Sequence, residues 1–197
     1  MVNELARPSA ATIHTSAADT DGLACAITAS AGYGAGISAP GTGLWLNNCL
    51  GELELNRRGR DVTPPGARLP SNMAPTVAWR PNQVLSIGSP GADRITSAMA
   101  QVLVRFLSQG QTLADAIAAP RWHVDVALAP TNGHFSETLC SEPGAIDSPP
   151  DDMSYRAFEA PGMYFGGVGA VNVDLSTQTL LPVADNRRTG ATVIDSA

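Results

Sequence analysis

A threonine behind two alanines opens the stretch Thr12-Ile13-His14-Thr15-Ser16-Ala17-Ala18, which runs on into Asp19-Thr20-Asp21-Gly22. The stretch reads as a buried strand entering a turn. A threonine in that place becomes a strong nucleophile once the bond before it is cut, because its freed α-amine can serve as the base for its own hydroxyl. A lone threonine in a strand is ordinarily just a strand residue, since the type is common there. Further on stands Gly88-Ser89-Pro90-Gly91-Ala92. It is not a Gly-x-Ser-x-Gly nucleophile elbow, because Ile occupies position 87. A strand-to-helix turn here would aim the backbone amides of Gly91 and Ala92 outward, where they can hold a developing oxyanion. An ordinary loop before a helix is the competing reading.

Other chemistry-bearing residues are scattered. His14, His123 and His134 have no metal-ligand or triad spacing, and His14 reads as a structural histidine. Cys25, Cys49 and Cys140 are odd in number and too far apart for a metal or redox motif. Cys25 and Cys49 sit in apolar surroundings and read as buried small hydrophobes. Trp45, Trp79 and Trp122 read as core or interface residues rather than a ligand box. Neither a metal nor a cofactor is expected.

The elements that must carry these residues follow from patterning. Thr12 to Thr28 reads as a hairpin, with Ile13, Thr15 and Ala17 alternating and Leu23 to Thr28 returning. Gly32, Gly34, Gly36, Gly41 and Gly43 mark a loop that passes close to something else. Their spacing is not the dinucleotide fingerprint, and no phosphate-binding lysine follows. Residues 54–70 read as an exposed loop. Ala74–Trp79 and Val84–Ile87 read as strands. Ile95, Ala98, Met99, Val102, Leu103, Phe106 and Leu107 recur at helical spacing, with Asp93 as the expected cap and Gly110 as the stop. A second helix opens at Thr112, with Asp115 in the manner of a capping box, and ends before Pro120. Residues 129–163 read as loop. Val168–Val173 and Leu180–Val183 return to strand, with a turn near Ser176. Strands, two helices, then strands indicate an α+β fold with mostly antiparallel sheet.

Composition bounds the partners. The chain has 197 residues, enough for one domain with a real core, and 15% of them are charged. So low a charged fraction reflects either many small residues or a surface that another chain covers. The net charge of −6 argues against nucleic acid. All 12 basic residues are arginine, which excludes lysine-based Schiff-base chemistry. No apolar run is long enough to span a membrane, and the N-terminus shows no apolar signal segment.

Several local motifs, in order, raise the standing of Thr12. The chain resembles the small, C-terminal subunit of γ-glutamyltransferases. That subunit begins Thr-Thr-His-x-Ser before an Asp-x-Asp-Gly turn, matched here by Thr12-Ile13-His14-Thr15-Ser16 and Asp19 to Gly22. A glycine-rich segment follows, then Leu46-Asn47-Asn48 with Glu52 close behind, then Arg68-Leu69-Pro70-Ser71-Asn72-Met73-Ala74-Pro75. Gly88 to Ala92 and Ala119-Pro120-Arg121 complete the series. The resemblance covers residues 12–123 well and 164–188 loosely.

The resemblance implies a layered α/β/β/α N-terminal-nucleophile hydrolase, of which this chain is the small-subunit half. It divides the chain into a leader or large-subunit remnant, residues 1–11, and a catalytic domain, residues 12–197. It implies self-cleavage between Ala11 and Thr12, with Thr12 as nucleophile and Ser30 as its hydrogen-bonding partner. Gly91 and Ala92 would supply oxyanion amides. Glu52 would hold the α-ammonium group of a γ-glutamyl substrate, with Ser71, Asn72 and Asn48 as further substrate contacts. The implied partners are a glutathione-like γ-glutamyl donor and a large subunit. Departures concern the donor: Ile13 for a second threonine, Asn72 for a second serine, Cys49 at an often polar position, Glu52 for an aspartate, and a shortened segment after Ser30. Only Met1 to Ala11 precede Thr12, so the chain is expected to be a separated subunit, a truncated frame or a fragment. A related amidase acting on acylated β-lactam side chains, or an inactive remnant, are the alternatives.

Overall fold

The computed structural model describes residues 12–52, 55–56, 63–128 and 135–195. Residues 1–11, His134 and much of the expected 54–70 loop lie outside them. In chain order the elements are β1 (Thr12–Ala18), β2 (Ala24–Ser30), β3 (Thr76–Arg80), β4 (Gln83–Gly88), α1 (Ile95–Leu103), α2 (Leu113–Ala118), β5 (Trp122–Leu128), β6 (Phe135–Ser141), β7 (Ser154–Ala157), β8 (Gly169–Asp174) and β9 (Thr179–Ala184).

The β1–β2 hairpin pairs Thr12 with Ser30 and His14 with Thr28. Its turn closes because Asp19 Oδ1 accepts the backbone N–H groups of Asp21 and Leu23, at 3.0 and 2.9 Å. Strands β3, β4, β8 and β9 form an antiparallel sheet in the order β3-β4-β8-β9. One face of that sheet carries Leu85, Ile87 and Ala170 against Ile95, Met99 and Val102 of α1 and Leu113 and Ile117 of α2. This is the buried core. The other face receives the hairpin: Ser86 Oγ donates to the Cys25 carbonyl at 2.7 Å, and Ser16 Oγ to the Gly169 carbonyl at 3.2 Å. The ring of His14 lies on Gly88, where an added Cβ would come within 2.2 Å of it. Helices, sheet and hairpin are thus three successive layers.

The hairpin's two faces are chemically reversed. Thr12, His14 and Ser16 point to the sheet, while Ile13, Thr15 and Ala17 point away. Ile13 is 65% exposed, Leu23 76% and Ile27 58%. Exposed apolar side chains gathered on one face are common at interaction surfaces.

Both helices start and stop for local reasons. Thr112 Oγ1 accepts the Asp115 N–H at 3.1 Å, as the capping pattern predicts. The α1 pattern runs on as a single wider turn, Val104–Ser108, to Gly110 at φ +71°. Asp93 does not cap α1. It lies in a single 3-10 turn, Ala92–Arg94, and its carboxylate goes instead to Arg94 and towards His123.

The region expected to be loop over 129–163 holds two strands. With β5, which the pattern reading also missed, they form a three-stranded sheet in which β6 and β7 run parallel. Two other expectations change. Cys25 is exposed and Cys49 half-buried, and only Cys140 is buried. Trp45, Trp79 and Trp122 are all exposed, which removes the core half of the core-or-interface reading and leaves the interface half. Cys25 and Trp79 follow the hairpin and sheet-edge faces that no other element of the described chain covers.

Candidate functional site

Thr12 is the first residue of β1, and its partner across the hairpin, Ser30, is the last of β2. Register therefore sets the two hydroxyls side by side: Thr12 Oγ1 and Ser30 Oγ are 2.9 Å apart. Ser30 Oγ also accepts the Gly32 N–H at 3.0 Å. With that bond made, the serine proton is free to point at Thr12. Gly32 is at φ +57°, and an added Cβ there would sit 2.2 Å from Glu52 Oε1. Only glycine gives both the backbone conformation and the room. The acid is thus brought directly beside the hydroxyl pair. Glu52 is almost fully buried, and burial together with its carboxylate pushes the Cys49 thiol up, keeping it protonated.

These residues open into a cleft of about 490 Å³ that is also lined by Ser71, Asn72, Gly91, Ala92 and Arg94. That volume suits a small peptide-sized ligand. Seven of the eight residues expected at a site from the sequence line it. Asn48 does not: its side chain turns back onto Gly51, and Asn47 and Cys49 face the cleft instead. Asn48 stands at the head of the 3-10 turn Cys49–Gly51, and its carboxamide lies over Gly51.

The Gly91–Ala92 turn is held from behind. Gly91 is at φ +142° and packs so closely on Gly166 that an added Cβ would lie 2.9 Å from the Gly166 Cα. Ser89 Oγ donates to the Pro90 carbonyl at 2.7 Å and accepts the Gly167 N–H at 3.1 Å. The Val168 N–H donates to Asp185 Oδ2 at 3.0 Å. Asp185 in turn is bridged by Arg121 at 2.7 Å and Arg187 at 3.2 Å, and Arg187 is gripped by Glu142 at 2.5 Å. A buried ionic cluster therefore fixes the segment on which the turn rests.

Ala92 itself is at φ +53°, a left-handed conformation that costs an alanine about 1 kcal/mol. Ala92→Gly is expected to stabilise the fold by roughly 0.5–1 kcal/mol, read as a higher urea midpoint with an unchanged slope.

On the other side of the turn, His123 Nδ1 and Ser97 Oγ are 2.8 Å apart, and His123 Nε2 lies 3.7 Å from Asp93 Oδ2. Burial pushes the Asp93 carboxyl up, but His123 and Arg94 outweigh it and hold it below its usual value. Arg94 donates to the Tyr164 carbonyl at 3.1 Å and stacks on the Tyr164 ring at 4.7 Å. Burial, with Cys140 beside it, raises the Tyr164 phenol and keeps it neutral. His14 Nδ1 and Nε2 each lie 2.8 Å from a hydroxyl, of Thr28 and Ser16, and burial lowers its pKa, so the ring stays uncharged and structural. Among the described residues no group of three or more His, Cys, Asp or Glu side chains could hold a metal ion.

The family profile described as Gamma-glutamyltranspeptidase matches residues 3–194. The chain belongs to the γ-glutamyltranspeptidase family. Among curated proteins it is 27% identical to the glutathione hydrolase proenzyme of Bacillus subtilis over 162 residues, which is 82% of this chain and 26% of that one. It is 40% identical to the rat glutathione hydrolase 5 proenzyme over 122 residues, 58% of this chain and 21% of that one. The chain thus spans about a quarter of the length of these relatives. Among solved structures, the γ-glutamyltranspeptidase of Pseudomonas nitroreducens complexed with L-DON superposes with TM-score 0.67 at 25% identity, covering 93% of this chain and 99% of that one. The transpeptidase CapD of Bacillus anthracis superposes with TM-score 0.67 at 24% identity over the same shares. The fold is α+β and of the N-terminal-nucleophile hydrolase type, as the ordered motifs implied.

Within this γ-glutamyltranspeptidase-family chain, the cleft also holds residues that sequence reasoning missed: Tyr33, Arg94, Met163, Tyr164 and Arg188. Arg94 had a usable signal, since it follows the Gly91–Ala92 turn by two residues. Tyr33 stands one residue after Gly32 and could have been found the same way. Met163, Tyr164 and Arg188 reach the cleft only through tertiary packing.

Proposed function

We propose that the chain is the catalytic small subunit of an enzyme that transfers or hydrolyses γ-glutamyl groups of glutathione-like donors. The observation that carries the reading is the Thr12–Ser30 hydroxyl pair at 2.9 Å, at the head of β1 and open to a cleft that contains Glu52 and the Gly91–Ala92 turn. The proposed sequence begins with self-cleavage: Thr12 Oγ1 attacks the Ala11 carbonyl carbon, its proton goes to the departing Thr12 nitrogen, and water hydrolyses the resulting ester, which frees both the Thr12 α-amine and its hydroxyl. That amine takes the hydroxyl proton as Thr12 Oγ1 attacks the γ-carbonyl carbon of the donor. The tetrahedral oxyanion is met by the amides of Gly91 and Ala92. The leaving amine departs with the proton, and a γ-glutamyl ester remains on Thr12. Water or an acceptor amine then attacks the ester carbon. Its proton returns through the Thr12 amine to Thr12 Oγ1, releasing glutamate or a new γ-glutamyl amide.

In this reading Glu52 pairs with the donor's α-ammonium group, and Ser71 and Asn72 donate to its α-carboxylate. The large subunit implied by the family covers the apolar outer face of the hairpin, where Ile13, Leu23 and Ile27 stand exposed. That cover accounts for the low charged fraction.

The test is release of the anilide from γ-glutamyl-p-nitroanilide by the chain assembled with its large subunit. Glu52→Gln is expected to raise KM about tenfold or more, with a smaller change in kcat, because it removes one charge-assisted bond to the donor. Absence of turnover by the assembled wild-type enzyme overturns the reading.

A further inference from the structure

The Gly91–Ala92 turn is strained, with Gly91 at φ +142° and Ala92 at φ +53°. Backbone of that kind persists only where its surroundings over-determine it. Gly166 and Ser89 do so on one side. On the other, the chain passes straight into Asp93 and Arg94, and the Arg94 N–H donates to the Gly91 carbonyl at 3.1 Å. Asp93 does not line the cleft. Its Oδ1 takes Arg94 Nη1, and its Oδ2 faces His123 Nε2 at 3.7 Å. That gap is too long for a hydrogen bond. His123 is 8% exposed, and its Nε2 is buried with no hydrogen-bond partner among the described residues.

The protons around the ring decide which form of His123 fits. Ser97 Oγ carries one proton and lies 3.2 Å from the Arg94 carbonyl and 2.8 Å from His123 Nδ1. If that proton goes to the carbonyl, Nδ1 must donate to Ser97. A neutral ring then turns the bare lone pair of Nε2 towards the Asp93 carboxylate, which repels it. The other neutral form takes the serine proton at Nδ1 and gives up the bond to the Arg94 carbonyl. A cationic ring carries protons on both nitrogens and serves Ser97, the carbonyl and Asp93 together. Asp93 stays ionised beside it, since its carboxyl is held below its usual value. The other charged and titratable groups around the ring are Arg94, Cys140 across β6, and Tyr164, whose hydroxyl lies 3.5 Å from Asp125 on β5.

We propose that Asp93 and His123 form a proton-dependent clasp that positions the Ala92 amide for the oxyanion. With the ring cationic, His123 draws Asp93 in and the turn is held from both sides. With the ring neutral, Asp93 is left to Arg94 alone and the Ala92 amide loses its alignment. Histidine gains its proton as pH falls through the neutral range, so the clasp tightens as pH falls and loosens as it rises. Both are positioning residues, since neither lines the cleft. The inference rests on the acyl-transfer reading for the part played by the Ala92 amide.

The test has two arms. In the first, the His123 ring protons and the Ala92 amide of the full chain are followed by NMR across the range in which histidine changes charge. The amide is expected to move with the ring on one midpoint. His123→Gln abolishes the movement, which assigns it to this ring rather than to His14. In Asp93→Asn the ring still titrates, but the amide loses most of its response, whereas a through-space effect of the ring charge would survive. In the second arm, the assembled enzyme is assayed at a pH where the ring is seen to be charged. Asp93→Asn lowers kcat for γ-glutamyl-p-nitroanilide about fivefold to tenfold and leaves KM within about twofold, and Asp93→Glu recovers part of the loss. An Ala92 amide that stays still while His123 titrates overturns the clasp. So does a full response in Asp93→Asn, or a rise in KM with kcat unchanged. An assembled wild type without turnover counts against the acyl-transfer reading alone, and the clasp is then decided by the titration.

Discussion

Thr12→Ala leaves the assembled enzyme without measurable anilide release, a fall on the order of 10⁴–10⁶ in kcat, and leaves the Ala11–Thr12 bond intact in mass spectra. The size of the effect follows from what is removed. In the proposed mechanism the Thr12 hydroxyl attacks in both the cleavage and the transfer, and among the described residues no other group in the cleft is placed to replace it. Ser30 is a neighbour at 2.9 Å, but it sits inside the chain and has no free amine. Thr12→Ser is the decisive companion, because it keeps the hydroxyl and the amine and loses only a methyl group. It is expected to process itself and to retain turnover within about a hundredfold. Ser30→Ala removes one hydrogen bond to the nucleophile and lands between the two. Full turnover by Thr12→Ala would refute the assignment.

The second large effect is on stability. Glu142 is 1% exposed and accepts four hydrogen bonds: from the Arg121 and Gly162 N–H groups at 2.9 and 3.2 Å, and from Arg187 Nε and Nη2 at 2.6 and 2.5 Å. Glu142→Ala strips the buried Arg187 guanidinium of its shortest ion pair, leaving it to Asp185 and backbone carbonyls, and leaves the buried Arg121 amide without its acceptor. The expected loss is about 3–5 kcal/mol, a large part of the 5–15 kcal/mol that typically holds a domain together. It is read as a fall in the urea midpoint. Glu142→Gln, which keeps the acceptor but not the charge, falls less. Glu159→Ala, at an exposed acid, changes stability by no more than about 0.5 kcal/mol and serves as the control. A midpoint for Glu142→Ala equal to that control would show that the cluster contributes nothing net.

Where the sequence was informative, it was informative because function and local pattern coincide. The hairpin, the Gly88–Ala92 turn and both helices are written in short-range signals: alternation, paired glycines, a capping threonine. Thr12 lies on the expected hairpin, whereas Ser30 lies two residues past its expected end at Thr28 and was singled out by the family resemblance alone; the longer β2 is what brings the two together. β5, β6 and β7 were not legible. Their residues sit among prolines, glycines and acids, and what they pack on lies far off in sequence, as where His123 meets Ser97 of α1, 26 residues away. Asn48 is a smaller case, expected at the cleft and not among its lining residues. In a 3-10 turn without periodicity, nothing in the sequence distinguishes which of Asn47, Asn48 and Cys49 faces inward. Asp93 looked like a cap because it precedes an apolar repeat, but its carboxylate had stronger partners in Arg94 and His123. Arg188 carried no signal, since its position depends on Asp185 tying the C-terminal segment to Val168.

The seat of the His14 ring on Gly88 has a consequence for the threonine two residues before it. Strand pairs usually keep their alignment because a slip would turn apolar side chains out to water. Here the outward face is already apolar, so burial cannot police the alignment. A slip of one residue would lift the His14 ring off Gly88 and part it from the Thr28 hydroxyl, 2.8 Å away on β2. His14 is thus the key that fits a single notch on β4, and its contact with Thr28 carries that placement across to β2. A side chain with no part in the chemistry measures out the distance between Thr12 and Ser30.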